Sequence, residues 1–260
     1  MTGPPQVVRA TDDVGLACWD AGGDGEPVVL LHAAFGSGEL WAPQLLSFDR
    51  AGFRPIAFSR RGHFGSDAGA GDPGRIVDDL EAVADGLDLD TFHLVGTALG
   101  GFGAVDFALS RPQRLRSLTV ASSLAGVTDP DFVSDTRRLI TPEWERLPVE
   151  VRELSADYRF RNPEGVAEWR RLTARAVHTT VRQRTAATVT RAALSTISVP
   201  TLFVTGDADP YLPPSRMRDL CVRIPHARSE VVVGAGHSPS WECPTRFDDL
   251  VLTFIAASSA

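Results

Sequence analysis

The chain contains no lysine; all 26 of its basic residues are arginine. That excludes a lysine Schiff base and a phosphate-loop lysine from any mechanism. Positive charge is also in short supply overall. The 33 acidic residues leave a net charge of −7, which argues against nucleic acid or an anionic membrane as the main partner. Cysteine is scarce: Cys18, Cys221 and Cys243 are scattered, with no Cys-x-x-Cys pair. Free thiols in a reducing compartment are expected. No run approaches the roughly 20 apolar residues of a membrane span. Met1 to Ala10 has neither the basic start nor the apolar stretch of a signal peptide. A cytoplasmic protein without membrane contact is the expectation. The sequence offers no metal-ligand cluster, nucleotide loop or haem motif, so no cofactor is expected.

What is present is enough chain, 260 residues, for one sizeable core. Short strands read at Gln6–Arg9 and Val14–Trp19. Pro27–Leu31 is continuously apolar, as in a strand buried on both faces. A helix is expected over Glu39–Arg50 and a strand over Phe53–Phe58. Ile76, Leu80, Val83 and Leu87 then recur at helical spacing between acidic positions. Further strands read at Leu115–Ser122, Pro200–Thr205 and Glu230–Gly234, with helices at Pro214–Ile224 and Thr245–Ala257. Strands alternating with helices predict an α/β protein with a doubly wound, mostly parallel sheet. Between Val127 and Thr196 the strand pattern stops and charge becomes dense. Helices are expected there at Pro142–Arg146, Val149–Tyr158, Gly165–Val177 and Thr179–Leu194. Residues 127–196 thus read as a helical cap, inserted into a core domain made of 1–126 and 197–260.

One stretch organises the rest. In Phe92-His93-Leu94-Val95-Gly96-Thr97-Ala98-Leu99-Gly100-Gly101 an apolar run meets closely spaced glycines, and a helix-like run follows from Phe102 to Leu109. The pattern is strand, very tight turn, helix. It resembles the nucleophile elbow of the α/β-hydrolase superfamily, Gly-x-nucleophile-x-Gly, in which strand and helix approach too closely for a Cβ at either outer glycine. The nucleophile position holds Ala98, which has no oxygen, sulfur or proton to give. The resemblance covers nearly all of the chain outside the cap. The chain loosely resembles the lactonase and carbon–carbon-bond hydrolase branches of that superfamily, which act on small oxo-acids or their lactones.

The resemblance assigns the other site residues by position. Gly206-Asp207-Ala208-Asp209-Pro210-Tyr211-Leu212-Pro213 resembles the family's Gly-x-x-Asp-x-x-x-Pro after a late strand, which makes Asp209 the acid; Asp207 reads as a turn residue or a second choice. Gly236-His237-Ser238-Pro239-Ser240-Trp241-Glu242-Cys243-Pro244 resembles Gly-His-x4-Glu-x-Pro and makes His237 the functional histidine. His32-Ala33-Ala34-Phe35-Gly36 resembles the family's His-Gly-x-x-Gly loop, with Ala33 in place of Gly. The implied oxyanion hole is the backbone N–H of Leu99 and of Ala34. His32, and His63 in Arg61-Gly62-His63, read as structural supports.

Ala98 leaves three readings open. It stands in for serine in an ordinary acyl-transfer hydrolase, as in variants made to trap a substrate. Or it is native, and the His237–Asp209 pair works as a general base without a nucleophile, in lyase, cyclase, isomerase or water-addition chemistry. Or the protein binds a ligand and has lost its chemistry. In either enzyme reading the partner is a small, apolar carbonyl compound: an ester, lactone or oxo-acid. Phe35, Phe64, Thr97, Tyr211 and Trp241 near the site loops, with Trp144 and Arg161 from the cap, are the candidate substrate contacts. The cap carries 12 Arg against 10 Asp and Glu, so Arg170, Arg171 and Arg175 are further candidates for a substrate carboxylate. The all-arginine usage also fits GC-rich codons, and with them a bacterium that makes secondary metabolites.

Overall fold

The structure, a computed structural model, describes residues 3–258. Met1, Thr2, Ser259 and Ala260, at the ends of the segments read above, lie outside the described residues. Eight strands form one sheet: β1 (Gln6–Thr11), β2 (Val14–Asp20), β3 (Pro27–Leu31), β4 (Arg54–Phe58), β5 (Phe92–Thr97), β6 (Leu115–Ala121), β7 (Thr201–Gly206) and β8 (Arg228–Val232). Their order is β1-β2-β4-β3-β5-β6-β7-β8. β2 pairs antiparallel with β1 and β4, and every later pairing is parallel.

The apolar runs of the central strands place the core on both faces of the sheet. In β3, Val29 and Leu31 join one cluster with Phe58, Phe92 and Phe107, while Val28 and Leu30 join the other with Trp41, Phe48 and Phe247. The split follows the two-residue period of a strand. Helices α1 (Ala42–Arg50), α2 (Ile76–Gly86) and α3 (Leu99–Ser110) connect the first parallel strands. Chain direction across the sheet reverses between β3 and β5. In doubly wound sheets that switch point is where loops at the strand ends part to leave a crevice.

Between β6 and β7 run α4 (Pro130–Leu139), α5 (Pro142–Glu145), α6 (Val149–Glu153), α7 (Ala156–Arg161), α8 (Pro163–Ala174) and α9 (Arg191–Leu194). Two expectations fail here. The helix expected over Val149–Tyr158 is broken: Leu154 is extended at φ −110°, ψ 138°, and Ser155 caps α7 by accepting a hydrogen bond from the Tyr158 N–H. The helix expected over Thr179–Leu194 is confined to α9. Seven of the twelve residues 179–190 are Thr or Val, which are poor helix formers. Their neighbourhood also offers other hydrogen-bond partners. The N–H groups of Ala186 and Ala187 donate to the buried Asp106 carboxylate at 2.8 and 2.7 Å, Arg184 donates to the Gly74 carbonyl, and Thr179 to that of Gly62. Helix α4 was not anticipated.

The last elements are α10 (Pro214–Cys221), α11 (Pro239–Glu242) and α12 (Pro244–Ser258). Among the described residues no helix is long and apolar enough to cross a membrane.

Candidate active site

The elbow forms as its glycines require. A Cβ on Gly96 would lie 2.6 Å from the Gly100 carbonyl oxygen, and one on Gly100 would strike the carbonyls of Leu31 and His32. Ala98 takes φ 48°, ψ −114° between β5 and α3, in the left-handed half of the backbone map where a side chain is strained. Three bonds hold it. Its N–H donates to the Ala121 carbonyl, and its own carbonyl accepts from the Gly101 N–H and, at 2.6 Å, from the Ser123 hydroxyl. Helix α3 begins at Leu99, three residues earlier than the apolar pattern suggested.

The loop after β3 lies across the switch point from the elbow. His32 is fully buried and fixed at both nitrogens: Nε2 accepts the Arg60 N–H at 3.0 Å, so Nδ1 donates to the Ala33 carbonyl at 2.8 Å. Burial first, then the nearby Arg60 and His63 charges, hold His32 well below its usual pKa. His63 Nδ1 donates to the Gly36 carbonyl, 2.7 Å away, and the ring lies 4.6 Å from that of His32. Both histidines therefore act as supports, as expected. Among the described residues neither the Ala34 N–H nor the Leu99 N–H donates to a protein acceptor. The Leu99 group is also the first N–H of a helix, where the dipole favours negative charge.

Asp209 and His237 meet from the loops after β7 and β8. His237 Nδ1 lies 2.9 and 3.0 Å from the two Asp209 oxygens. The carboxylate also accepts from the N–H groups of Tyr211 and Leu212 and from the Thr205 hydroxyl. Burial opposes its charge, but His237 and these donors outweigh burial and hold Asp209 below the usual carboxylate range. For His237 the balance runs the other way. Burial favours the neutral ring, yet the Asp209, Glu153 and Glu242 carboxylates together push it up to about 9. Glu242 fixes the histidine loop: it accepts from the N–H groups of Gly236 and Ser238, and its second oxygen accepts from Ser155 after α6. Asp207 accepts the Gly234 N–H from the loop after β8, rather than bonding its own backbone, and makes no hydrogen bond to His237.

A cavity of about 230 Å³ opens at these loops. Its apolar walls are Ala33, Ala34, Phe35, Leu99, Phe102 and Leu124, with Ala98 at the elbow. His237, Tyr211 and Ser122 line it from the core, and Arg152 and Glu153 from α6. The Tyr211 and His237 ring centroids are 4.4 Å apart. A larger hollow of about 530 Å³ lies elsewhere, beside Trp19, Asp20 and Leu46, and includes none of these groups.

Phe35 and Tyr211 are where a substrate-contact role requires them. Five other expected contacts do not line the cavity. Thr97 is buried at the end of β5, because side chains alternate along a strand and turn. Phe64 stacks on Trp19 at 6.5 Å and under the Arg175 guanidinium at 4.7 Å. Trp144 sits beside the Tyr211 hydroxyl, and Trp241 beside that of Tyr158. Arg161 is exposed and pairs with Asp157 at 2.8 Å, the usual fate of a charge on a solvated helix face. Arg170 and Arg171 likewise face Glu150 and Glu168, and Arg175 pairs with Glu39. Arg152 and Glu153 were missed. The signal that marks them is Ser155, a helix N-cap residue that ends α6 just beyond them. Among the described residues no group of three or more His, Cys, Asp or Glu is placed to hold a metal ion.

A doubly wound sheet with a sharp turn after β5, and an acid and a histidine after the last two strands, defines an α/β-hydrolase architecture. Residues 28–250 match the model of the alpha/beta hydrolase family, and the chain belongs to that family. It is 29% identical over 259 residues to a putative carbamate hydrolase RutD of Caulobacter sp. (strain K31), covering 91% of this chain and 93% of that one. It is 26% identical over 276 residues to a putative 2-succinyl-6-hydroxy-2,4-cyclohexadiene-1-carboxylate synthase of Bacillus subtilis (strain 168), covering 96% and 98%. The enol-lactonase from Burkholderia xenovorans LB400 superposes with a TM-score of 0.76 at 23% identity, covering 96% of this chain and 99% of that one, a likeness of fold.

Proposed function

We propose that the protein is an enzyme that acts on a small, mostly apolar carbonyl compound by non-covalent acid–base chemistry. His237, oriented by Asp209, takes a proton from the substrate or from a water held beside Ala98. The N–H groups of Leu99 and Ala34 stabilise the charge that develops on the carbonyl oxygen. Residues 127–196 act as the cap that closes the cavity. The observation that carries this reading is that the His237–Asp209 pair is intact and faces the cavity across an elbow with no nucleophile. A cavity of about 230 Å³ lies below the roughly 300–1,000 Å³ of most ligand pockets, which calls for a small substrate. The relative named as a synthase, rather than a hydrolase, supports an outcome other than hydrolysis.

A second reading rests on the strain at Ala98. An alanine gains nothing from φ 48°, whereas a serine there would have its hydroxyl presented to His237. That reading is acyl transfer on an ester or lactone. The Ala98→Ser variant separates the two on short-chain aryl esters and lactones, with His237→Ala as control. The non-covalent reading expects a gain of no more than about tenfold, since a site built for proton transfer to and from carbon gives a new hydroxyl no aligned acyl group to attack. A gain of about 1,000-fold or more, abolished by His237→Ala, would contradict it and assign acyl transfer. A pocket that binds small carbonyl compounds and turns over none would leave a ligand-binding protein.

A further inference from the structure

Glu153 ends α6, and its side chain is 94% buried, with 6% exposure, yet it lines the cavity beside His237. Its carboxyl forms no hydrogen bond with any protein group among the described residues; burial acts on it first, then the charges of His237, Asp209, Arg152 and Glu242. A mostly buried carboxyl that lines a cavity beside a histidine and is held by no protein donor is placed for chemistry rather than packing. Its position is fixed independently of its side chain, because the Glu153 carbonyl accepts the His237 N–H at 3.0 Å. The cap thus places this carboxyl against the catalytic loop by a backbone bond. Its neighbour Arg152 lies over the Phe35 ring at 5.4 Å, and the Arg152 charge partly offsets the effect of burial on Glu153.

Resting on the function proposed above, we infer that Glu153 is a second catalytic group, a carboxylic acid that gives a proton to the oxygen leaving the substrate while His237 takes one from carbon. The substrate class is a small ketone or other carbonyl compound with an oxygen substituent on the β-carbon. His237 Nε2 removes the proton on the carbon next to the carbonyl, and the C–H electron pair becomes the new C=C bond. The bond from the β-carbon to oxygen breaks, its electron pair leaves with the oxygen, and the Glu153 proton goes to that oxygen. The products are an unsaturated carbonyl compound and an alcohol or phenol. Glu153 is left as carboxylate and His237 as imidazolium, which is the resting form of the pair, and passage of that proton from His237 to Glu153 regenerates the reacting form. Burial pushes the Glu153 carboxyl above its usual range, chiefly against the pull of His237, so it retains a proton to higher pH than a free side chain does. The other ionisable groups facing it are Asp209 from the loop after β7, Tyr211 beyond it, Arg152 on α6 itself and Glu242 on α11.

The test uses the whole protein with 4-phenoxybutan-2-one and 4-(4-nitrophenoxy)butan-2-one. Phenoxide needs a proton as it leaves; nitrophenoxide does so far less. Release of each phenol is followed by absorbance, and exchange of the protons next to the carbonyl by NMR in D2O. Glu153→Gln, which keeps the shape, is expected to slow phenol release about 100-fold, to slow nitrophenol release less than about threefold, and to leave exchange in place. Glu153→Asp is expected to recover part of the loss. Equal slowing of both phenols, or no slowing of either while exchange continues, would overturn the role of Glu153 and leave the His237 reading standing. Absence of exchange and of release by the unaltered protein would overturn both. A thermal melt of each variant identifies any that fail to fold, and Glu153→Asp then carries the comparison.

Discussion

Ala98 holds a backbone conformation that a side chain resists, and what it does there is tied to its neighbours. The Ser123 hydroxyl and the Ala121 carbonyl pin it on both sides, and Gly96 and Gly100 leave no room for the turn to relax. Removing the Cβ removes the strain, at the cost of a looser unfolded chain. Ala98→Gly is therefore expected to stabilise the protein by about 1 kcal/mol in urea unfolding. A loss of stability would show that the turn is not strained. The residue most exposed to its electrostatic surroundings is His237. Three carboxylates raise it, so it is a proton donor in the resting site at neutral pH and becomes a base as pH rises towards 9. The same shift bears on stability. A histidine raised above its unfolded value contributes fully below pH 6.5, and its contribution is lost as pH rises through about 9.

At the scale of elements, the segment from His178 to Thr190 shows how a stretch without regular structure can be held. Asp106, buried in the middle of α3, accepts two of its N–H groups, and the Arg61–Asp79 pair accepts Gln183 at 2.7 Å. Hydrogen bonds to charged groups are worth about 1.5–3 kcal/mol each, and burial of the carboxylate offsets part of that. Asp106→Ala is expected to cost about 2–3 kcal/mol and to open the segment to proteases near Thr185; unchanged proteolysis would show that other contacts hold it. This segment also marks where the sequence was hard to read. The sheet was legible because its strands are apolar runs of fixed period. The elbow, Asp209 and His237 were legible because each is flanked by glycine or proline at a turn that other residues cannot make. Thr179–Leu194 was misread because its hydrogen-bond partners lie about 80 to 115 residues back in the chain, where no local pattern records them. Arg152 and Glu153 were missed for a related reason. They sit on a charged helix like its neighbours, and only the break at Leu154 and the docking of Ser155 on Glu242 place them at the cavity.

For the whole molecule, the sheet's order is what brings the site together. Ala34 and Ala98 follow adjacent strands at the switch point, while Asp209 and His237 follow the last two strands, and α6 supplies the remaining groups from between β6 and β7. Ala34, Ala98, Glu153 and His237 each lie more than 50 residues of chain from the next, yet they line one cavity of about 230 Å³. The central claim is that this cavity runs proton transfer on a carbonyl compound with His237 as base and no covalent intermediate. The most direct measurement is the exchange of the protons next to the carbonyl of a small ketone, followed by NMR in D2O as a function of pH. The account predicts exchange by the protein as it stands, rising about tenfold per pH unit from 7 and levelling near 9, and abolished in His237→Ala. Exchange that is absent, or that persists in His237→Ala, would contradict it.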